Sequence, residues 1–219
     1  MNCSASNVSP PAIRAVLFDF GGVLAGEGFR DGLFALAKAQ GLDPEEVHRI
    51  ALDTVYDSGY VLGRGAEAEF WDLMRQRTGI RGDDGKLSRE ILSRFILRPR
   101  LLDAVRKLRE CGVIAAILSD QTDWLERLDN RLDFFREFDR VFNSYRTGKG
   151  KRDPSFFDDV VRELQIDPHE ALFIDDMPGN VERARSRGLQ ALLFEDEESC
   201  LAQLGNRCGR GGNRQEKSR

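Results

Sequence analysis

The sequence has no run of about 18 consecutive apolar residues, and it therefore predicts no membrane-spanning helix. Its first residues, MNCSASNVSPP, lack the basic patch followed by an apolar core that marks a secretory signal, so we expect none. Cysteine is scarce, because the four cysteines among 219 residues are scattered without the spacing of metal ligands. Scattered free thiols are typical of a reducing compartment, which predicts a cytoplasmic protein.

Histidine is rare as well. His48 and His169 occur in the segments PEEVHRI and DPHEA, which are typical of a helix surface or a helix start. We therefore expect both side chains on the surface, outside any acid–base machinery. The sequence shows no Ser/His/Asp or Cys/His arrangement, so it does not predict catalysis by those nucleophile systems.

Positive charge is too sparse for a general nucleic-acid-binding protein. The formal net charge is −4, and the basic tail at 205–219 leaves the rest of the chain more acidic still. An acidic body argues against a nucleic-acid surface, so we expect no nucleic-acid partner. An Arg/Gly-rich tail can act as a nucleic-acid arm, but an end with few apolar residues more often has no core to join. We expect residues 1–12 and 205–219 to be disordered.

Five short apolar segments of β type are present along the chain, namely IRAVLFDF, VIAAILSD, RVFNSY, ALFIDD and QALLF. Amphipathic helical segments such as PRLLDAVRKLRECG and PSFFDDVVRELQ lie between them. Alternating strands and helices, with strands that are apolar on both faces, predict a parallel sheet covered by helices. The expected fold is therefore α/β, with a Rossmann-like parallel sheet core and helices on both faces.

The interval between the first two predicted strands is the exception to this alternation. From Phe29 to Leu97 only helical periodicity is present, in segments such as DGLFALAKAQG and EAEFWDLMRQRTG. This pattern predicts an α-helical cap inserted into the core. We expect the core domain to comprise residues 13–27 and 98–204, and the cap to comprise residues 28–97.

Polar residues stand where the predicted strands end. Asp19 follows the first strand, Ser119 and Asp120 the second, the loop TGKGKRDP the third, and Asp175 and Asp176 the fourth. Ligands of open parallel sheets bind beyond these carboxyl ends. The three acids at the first and fourth ends repel one another unless a cation is bound. Mg²⁺ suits a few carboxylates together with water and phosphate oxygens.

Each of these side chains also has a purely structural explanation. Ser119 or Asp120 can cap the helix that follows, and Asp153–Pro154 is a good helix start. Lys149 and Lys151 can be solvated charges of a loop. The coincidence of four strand ends nevertheless favours a ligand site.

Four motifs, FDFGGVL, ILSD, KGKRDPSFF and FIDDMPGNVERARSRG, follow one another along the chain. Their order and spacing resemble the haloacid dehalogenase-like (HAD) hydrolase superfamily over nearly the whole chain. The resemblance implies the following roles: the nucleophile is Asp19, the phosphate-binding residues are Gly21, Ser119, Asp120 and Lys151, and the metal ligands are Asp19, the Gly21 carbonyl, Asp175 and Asp176.

The same resemblance implies a function. It points to a magnesium-dependent phosphomonoester phosphatase of small phosphorylated metabolites, which works through an aspartyl-phosphate and is a monomer or homodimer. FDFGGVL together with LSDQTDWL is most similar to the subgroup that includes sugar-phosphate phosphatases. The helical interval resembles the compact (C1-type) cap of the family. The glycines after Asp19 let backbone groups approach the phosphate and the metal.

Gly21 departs from the pattern of the resembling family. Typical phosphatases of that family carry a general-acid aspartate there, and losing such a group costs about 10²–10⁴-fold in rate. Glu27, Asp120 or a metal-bound water can substitute for it. Dehalogenases and phosphonatases also lack the aspartate and remain alternatives, as does a non-catalytic binding protein on this fold. A dehalogenase has no use for paired metal-site acids, and a phosphonatase needs a cap lysine, Lys38 or Lys86, for a Schiff base.

Substrate choice in the resembling family is set by cap residues that reach over the site. The loop DSGYVLGRG supplies Tyr60 and Arg64, two side chains that can bind a polar substrate. The alternative interpretation of this loop is an exposed turn between two cap helices.

Overall fold

The structure of the protein, a computed structural model, describes residues 12–208 and contains one five-stranded parallel sheet. Its strands are β1 (Ala15–Phe18), β2 (Ile114–Ser119), β3 (Arg140–Asn143), β4 (Ala171–Asp175) and β5 (Gln190–Leu193). They lie side by side in the order β3–β2–β1–β4–β5. Each of the five apolar segments forms one strand, so the prediction of an α/β fold with a parallel sheet is confirmed.

Helices connect the strands. Within the described residues they are α1 (Gly28–Ala39), α2 (Pro44–Asp57), α3 (Glu67–Thr78), α4 (Asp84–Ser93), α5 (Pro99–Glu110), α6 (Trp124–Leu132), α7 (Ser144–Thr147), α8 (Ser155–Glu163), α9 (Pro178–Ser186) and α10 (Glu197–Cys208). A short 3₁₀ turn, Tyr60–Leu62, follows α2. Between residues 12 and 208, none of the helices is both long and apolar enough to cross a membrane.

The chain ends differ in part from the expectation of disorder. Helix α10 continues to Cys208, so the expected disordered end does not begin at residue 205. The remainder of that end, 209–219, and residues 1–11 at the other end lie outside the described residues.

The central position of β1 brings the polar strand ends together. Every residue of β1 is buried, and Phe18 is in register with Ile117 of β2 and Ile174 of β4. Because neighbouring strands are parallel, their carboxyl ends lie at one edge of the sheet. Asp19 therefore emerges between the ends of β2 and β4, and its amide donates to the Ile174 carbonyl at 2.9 Å.

The connection from β1 to β2 carries α1 to α4, as its helical periodicity predicts. The two ends of this connection lie side by side, because Ala25 at its start and Leu97 at its end form an antiparallel bridge. Helix α1 packs closely on α4, since a Cβ added to Gly32 would lie 2.5 Å from the Ile91 Cα. Glycine at position 32 thus permits this close contact between the two helices.

Two hydrophobic clusters cover the two faces of the sheet. The smaller one packs Phe157 of α8 edge-on against Phe173 of β4, with ring centroids 5.2 Å apart. The larger one joins Phe18 of β1 to Phe70 and Trp71 of α3 in one contiguous set of contacts. The helical segment between β1 and β2 therefore shares its core with one face of the sheet.

Candidate active site

Asp19 stands at the carboxyl end of the central strand and is 7% exposed. Its Oδ1 accepts hydrogen bonds from the Ser119 hydroxyl (2.7 Å) and from the Phe20 amide (2.7 Å). Its Oδ2 forms an ion pair with the Lys151 ammonium at 2.8 Å. The structure thus brings together the residues predicted as nucleophile, phosphate-binding hydroxyl and phosphate-binding lysine.

Lys151 is 2% exposed and lies between two carboxylates. Its Nζ is 2.8 Å from Asp19 Oδ2 and 2.6 Å from Asp175 Oδ2. Burial disfavours the charged ammonium, but Asp175, Asp19 and Asp120 outweigh burial and raise the pKa of Lys151 above its ordinary value. The sheet edge therefore holds a charged ammonium directly beside the Asp19 carboxylate.

Asp175 positions this lysine. It is completely buried, and its Oδ1 accepts a hydrogen bond from the Met177 amide at 2.8 Å. The Asn180 side-chain amide lies 3.0 Å from each of its two oxygens. Arg183 in turn donates to Asn180 Oδ1 (2.6 Å) and to the Lys151 carbonyl (2.8 Å). The start of α9 thus fixes both Asp175 and Lys151.

Asp176, in contrast, lines the cavity above the sheet edge. It packs against Gly22, whose φ of +80° is in the left-handed region that favours glycine. A Cβ on Gly22 would lie 2.2 Å from Asp176 Oδ2. Glycine at this position therefore serves both the turn after β1 and the close approach of a carboxylate. Burial and the neighbouring Asp175 raise the pKa of Asp176.

The donor set at this edge fits a hard divalent cation. One oxygen from each of Asp19, Asp175 and Asp176 lies within 4.8 Å of the others. These three carboxylates share one ammonium, that of Lys151, so a cation would balance the remaining negative charge. Burial raises the pKa of Asp19 although Lys151 opposes it. Asp175 is completely buried, whereas Asp19 and Asp176 line the cavity, so these two are the side chains best suited to bind Mg²⁺.

Asp120 connects the end of β2 to helix α2. Its Oδ1 accepts a hydrogen bond from the Lys151 amide (2.8 Å), and its Oδ2 accepts one from the Tyr56 hydroxyl. The Arg152 guanidinium stacks on the Tyr56 ring at 3.9 Å and donates to the Leu52 carbonyl at 2.9 Å. These contacts hold α2 over the site. The phosphate contact predicted at Asp120 involves its backbone amide and stays a prediction.

Because Gly21 has no side chain, there is a space beside it that the Glu27 carboxylate borders. A Cβ on Gly21 would lie 3.2 Å from Glu27 Oε1 and 3.6 Å from Gln121 Nε2. Glu27 immediately precedes α1 and lines the cavity. Burial, with a further contribution from Asp176, raises the pKa of Glu27 to about 7. Of the side chains considered as a substitute acid, Glu27 is therefore the one adjacent to position 21.

A cavity of about 300 Å³ opens over these groups, at the small end of the range for ligand sites. Its floor is formed by Asp19, Ser119, Lys151 and Asp176 at the sheet edge. We call the opposite side the cap-side wall, which consists of Phe29, Arg30, His48, Leu52, Val55, Tyr56 and Val61. A small organic phosphate suits a space of this size.

Tyr60 and Arg64 do not line this cavity. Tyr60 is 2% exposed, its hydroxyl donates to Asp123, and its ring packs edge-on against Trp124 at 6.0 Å. Arg64 donates to the Gly148 carbonyl at 2.8 Å. The loop DSGYVLGRG therefore docks the helical segment onto the sheet-side elements. The substrate contacts predicted for Tyr60 and Arg64 are corrected accordingly.

The lysines considered for phosphonatase chemistry are also remote from the cavity. Lys38 and Lys86 are both exposed, and neither lines it. Lys149 is paired with Asp159 and donates to Ser155 Oγ at 3.0 Å. The arrangement gives no support to a Schiff-base mechanism.

His48 does not lie on the surface as expected, whereas His169 is exposed. The half-buried His48 ring packs edge-on against Phe29 (6.3 Å) and Phe34 (5.9 Å) and lines the cavity. Burial and the charge of Arg30 lower the pKa of His48, so the ring is uncharged at neutral pH.

Some residues of the site escaped the sequence interpretation. Asn180 offered a usable signal, because a polar residue in the first turn after the paired acids of FIDDMPGN can reach back to the strand end. Tyr56 and Arg152 offered none, since their roles depend on contacts between helix α2 and the loops at the sheet edge.

A family model described as haloacid dehalogenase-like hydrolase matches residues 13–186. The chain therefore belongs to the haloacid dehalogenase-like hydrolases, as its four motifs predicted. Membership in this family makes the protein a hydrolase built on the parallel sheet described above.

Curated relatives match over part of their length. Bifunctional epoxide hydrolase 2 of Rattus norvegicus is 29% identical over 124 residues, which are 53% of this chain and 22% of the relative. Flavin mononucleotide hydrolase 1 of Arabidopsis thaliana is 35% identical over 81 residues, which are 37% of this chain and 33% of the relative. The matched segments thus span less than two thirds of these relatives.

Solved structures share the fold over most of the chain. A HAD family enzyme of Bacteroides thetaiotaomicron superposes with a TM-score of 0.67 and 24% identity, covering 88% of this chain and 99% of that chain. The same enzyme in complex with magnesium and inorganic phosphate gives a TM-score of 0.64 at 24% identity, covering 87% and 99%. The L-2-haloacid dehalogenase of Xanthobacter autotrophicus gives 0.61 at 21% identity, covering 87% and 81%.

Proposed function

We propose that the protein is a magnesium-dependent phosphatase of small phosphorylated metabolites that forms a covalent phosphoryl-Asp19. The observation that supports this function best is the environment of Asp19. The Ser119 hydroxyl contacts one carboxylate oxygen, the Lys151 ammonium contacts the other, and Asp176 lies close by. Covalent catalysis by a carboxylate splits one difficult hydrolysis into two easier steps.

In the first step an oxygen of Asp19 attacks phosphorus, the bond from phosphorus to the leaving oxygen breaks, and that oxygen takes up a proton from the Glu27 carboxyl, whose pKa is raised to about 7. In the second step water attacks phosphorus, the bond between phosphorus and the Asp19 oxygen breaks, and the proton lost by the water returns to Glu27. Inorganic phosphate and the free Asp19 carboxylate are the products. Ser119 and Lys151 contact the phosphoryl oxygens as negative charge spreads over them. Asp19, the Gly21 carbonyl and Asp176 would hold Mg²⁺, which would supply further neutralising charge.

Two of the comparisons support phosphate chemistry. One relative is named a flavin mononucleotide hydrolase, and one structural neighbour binds magnesium and inorganic phosphate. A second candidate function, dehalogenation, is represented by the Xanthobacter enzyme. The cluster of three acids favours the phosphatase, because carboxylates this close suit a metal-dependent reaction.

The test measures phosphate release from an aryl phosphate by the purified protein. We expect turnover with Mg²⁺, loss of turnover with EDTA, and recovery when Mg²⁺ is restored. Asp19→Asn should abolish activity in a folded protein, while Asp103→Asn, at an exposed position of α5, should leave it unchanged. Equal activity of the metal-free enzyme, or chloride release from a 2-haloacid without phosphatase activity, would contradict the proposal.

A further inference from the structure

Two aromatic side chains that line the cavity have their polar atoms engaged elsewhere. The Tyr56 hydroxyl donates to Asp120, and the Trp124 indole N–H donates to Glu67 Oε1 at 3.1 Å. The Arg152 guanidinium, which also lines the cavity, lies over the Tyr56 ring at 3.9 Å. What these two residues offer a ligand is therefore ring surface, and their hydrogen-bonding groups are already satisfied by the protein.

The charged and titratable members of the cap-side wall, Arg30 and His48, also contact aromatic rings. The Arg30 guanidinium pairs with Asp31 at 3.3 Å and lies 6.0 Å from the Phe34 ring centroid. The His48 ring lies edge-on to Phe29 and Phe34. Both side chains thus lie against aromatic rings of α1, and they are the two polar members of the wall besides the Tyr56 hydroxyl.

Aliphatic side chains complete the wall. Leu52 and Val55 come from α2, and Val61 comes from the 3₁₀ turn that follows it. The floor of the cavity, in contrast, gathers the carboxylates, Lys151 and Ser119. A phosphate bound at the floor therefore directs its ester group toward a wall in which aliphatic and aromatic side chains outnumber Arg30 and His48.

We propose that the leaving group of the substrate is apolar, a small aryl or alkyl group, and is not a polyhydroxylated sugar. A sugar hydroxyl pressed against this wall would lose its hydrogen bonds to water without replacement, which is unfavourable. An apolar group gains from leaving water there. The inference rests on the proposed phosphatase function, and it narrows the substrate class from the sugar phosphates that the sequence suggested.

The test compares hexyl phosphate with sorbitol phosphate. Both are esters of primary alcohols on six-carbon chains, so they differ mainly in hydroxylation. We expect kcat/KM for hexyl phosphate to exceed that for sorbitol phosphate at least about tenfold, because burying several methylenes contributes that much. The difference should lie mainly in KM. Acetyl phosphate, whose leaving group barely reaches the wall, reports phosphatase activity independently.

A pair of matched variants assigns the preference to the wall. Leu52→Asn places a polar amide in the cavity and should lower the preference for hexyl phosphate over sorbitol phosphate several-fold. Acetyl phosphate turnover measures the phosphatase activity of the same variant. Leu36→Asn makes the same change at a half-buried position of α1 outside the cavity and should leave the preference unchanged.

Two results overturn the inference alone: equal kcat/KM for the two esters in an enzyme that hydrolyses acetyl phosphate, or equal loss of preference in both variants. Absence of turnover with all three compounds in the presence of Mg²⁺ overturns the proposed function, and the inference with it.

Discussion

At position 21 the site has a glycine, and the carboxylate of Glu27 lies next to it. Glu27 Oε1 would be 3.2 Å from a Cβ at this position. Glu27 thus lies where the side chain of an acidic residue at 21 would begin. The two positions are coupled, because a carboxylate at either one crowds and repels a second carboxylate at the other.

This coupling predicts the outcome of a three-variant series on alkyl and aryl phosphates. Gly21→Asp alone should lower kcat, since the new side chain crowds Glu27 and places a second carboxylate beside it. Glu27→Ala should lower kcat for alkyl phosphates about 10²-fold, the low end of acid catalysis, and for aryl phosphates much less. The double variant should recover part of the alkyl activity. A rise in kcat with Gly21→Asp alone contradicts this account.

At the same scale, the sequence predicted the residues that short-range geometry controls. The strands β1, β2 and β4 are recognisable by their composition, and Asp19, Ser119 and Asp175 lie at their carboxyl ends. In a parallel sheet these ends meet at one edge, so the three residues were expected to lie together. Tyr60 and Arg64 were misassigned because the direction of a loop side chain depends on its tertiary docking. Tyr60 points into the aromatic core instead.

At the scale of elements, the loop between β1 and α1 is held by the residue just before α5. Arg98 Nη1 donates to the carbonyls of Gly22 (2.8 Å), Val23 (2.7 Å) and Ala25 (2.7 Å). Its guanidinium also lies over the Phe194 ring at 5.2 Å. One side chain thus satisfies three carbonyls of the loop that must place Gly21 and Gly22 beside Asp19 and Asp176.

Replacing this arginine should therefore disturb both stability and catalysis. Arg98→Met leaves the three carbonyls without their donor and should lower the free energy of unfolding by about 2 kcal/mol or more. It should also lower kcat well below wild type at temperatures where the variant is folded. Urea denaturation and steady-state kinetics measure the two effects.

Arg100→Met provides the control for this variant. Arg100 is exposed, and its ion pair with Glu197 at 3.3 Å should contribute less than about 1 kcal/mol. Equal effects of the two substitutions would show that the contacts of Arg98 with the loop are not important.

The elements themselves were largely predictable. All five strands and the helical interval before β2 followed from apolar patterning. The order of the strands did not, because pairing β1 with both β2 and β4 depends on long-range contacts. The expected disordered end was placed at residue 205, inside α10, because the last turn of this helix has the polar composition of the tail that follows it.

At the scale of the molecule, aromatic packing joins the helical segment to the sheet-side elements. Trp124 at the start of α6 lies 6.0 Å from the Tyr60 ring, 6.1 Å from Phe70 and 6.3 Å from Trp71. Rings of this size bury large apolar areas at such contacts. The core is continuous from β1 through these residues to α3.

A continuous core predicts cooperative unfolding. Two variants leave one tryptophan each: Trp71→Phe reports Trp124 by fluorescence, and Trp124→Phe reports Trp71. In urea, we expect the fluorescence change of each variant to have the same midpoint as its loss of helical circular dichroism. An earlier transition of the Trp71 signal would show that the helical segment unfolds independently.

The central claim is that Asp19 becomes phosphorylated during turnover, and trapping the intermediate tests it most directly. The enzyme is mixed with Mg²⁺ and acetyl phosphate, quenched within the first turnovers, digested and examined by peptide mass spectrometry. We predict one phosphoryl group on the peptide that contains Asp19, with none in Asp19→Asn or in the presence of EDTA. Steady turnover with no phosphoryl group on Asp19, or with the group on another residue, would contradict the account.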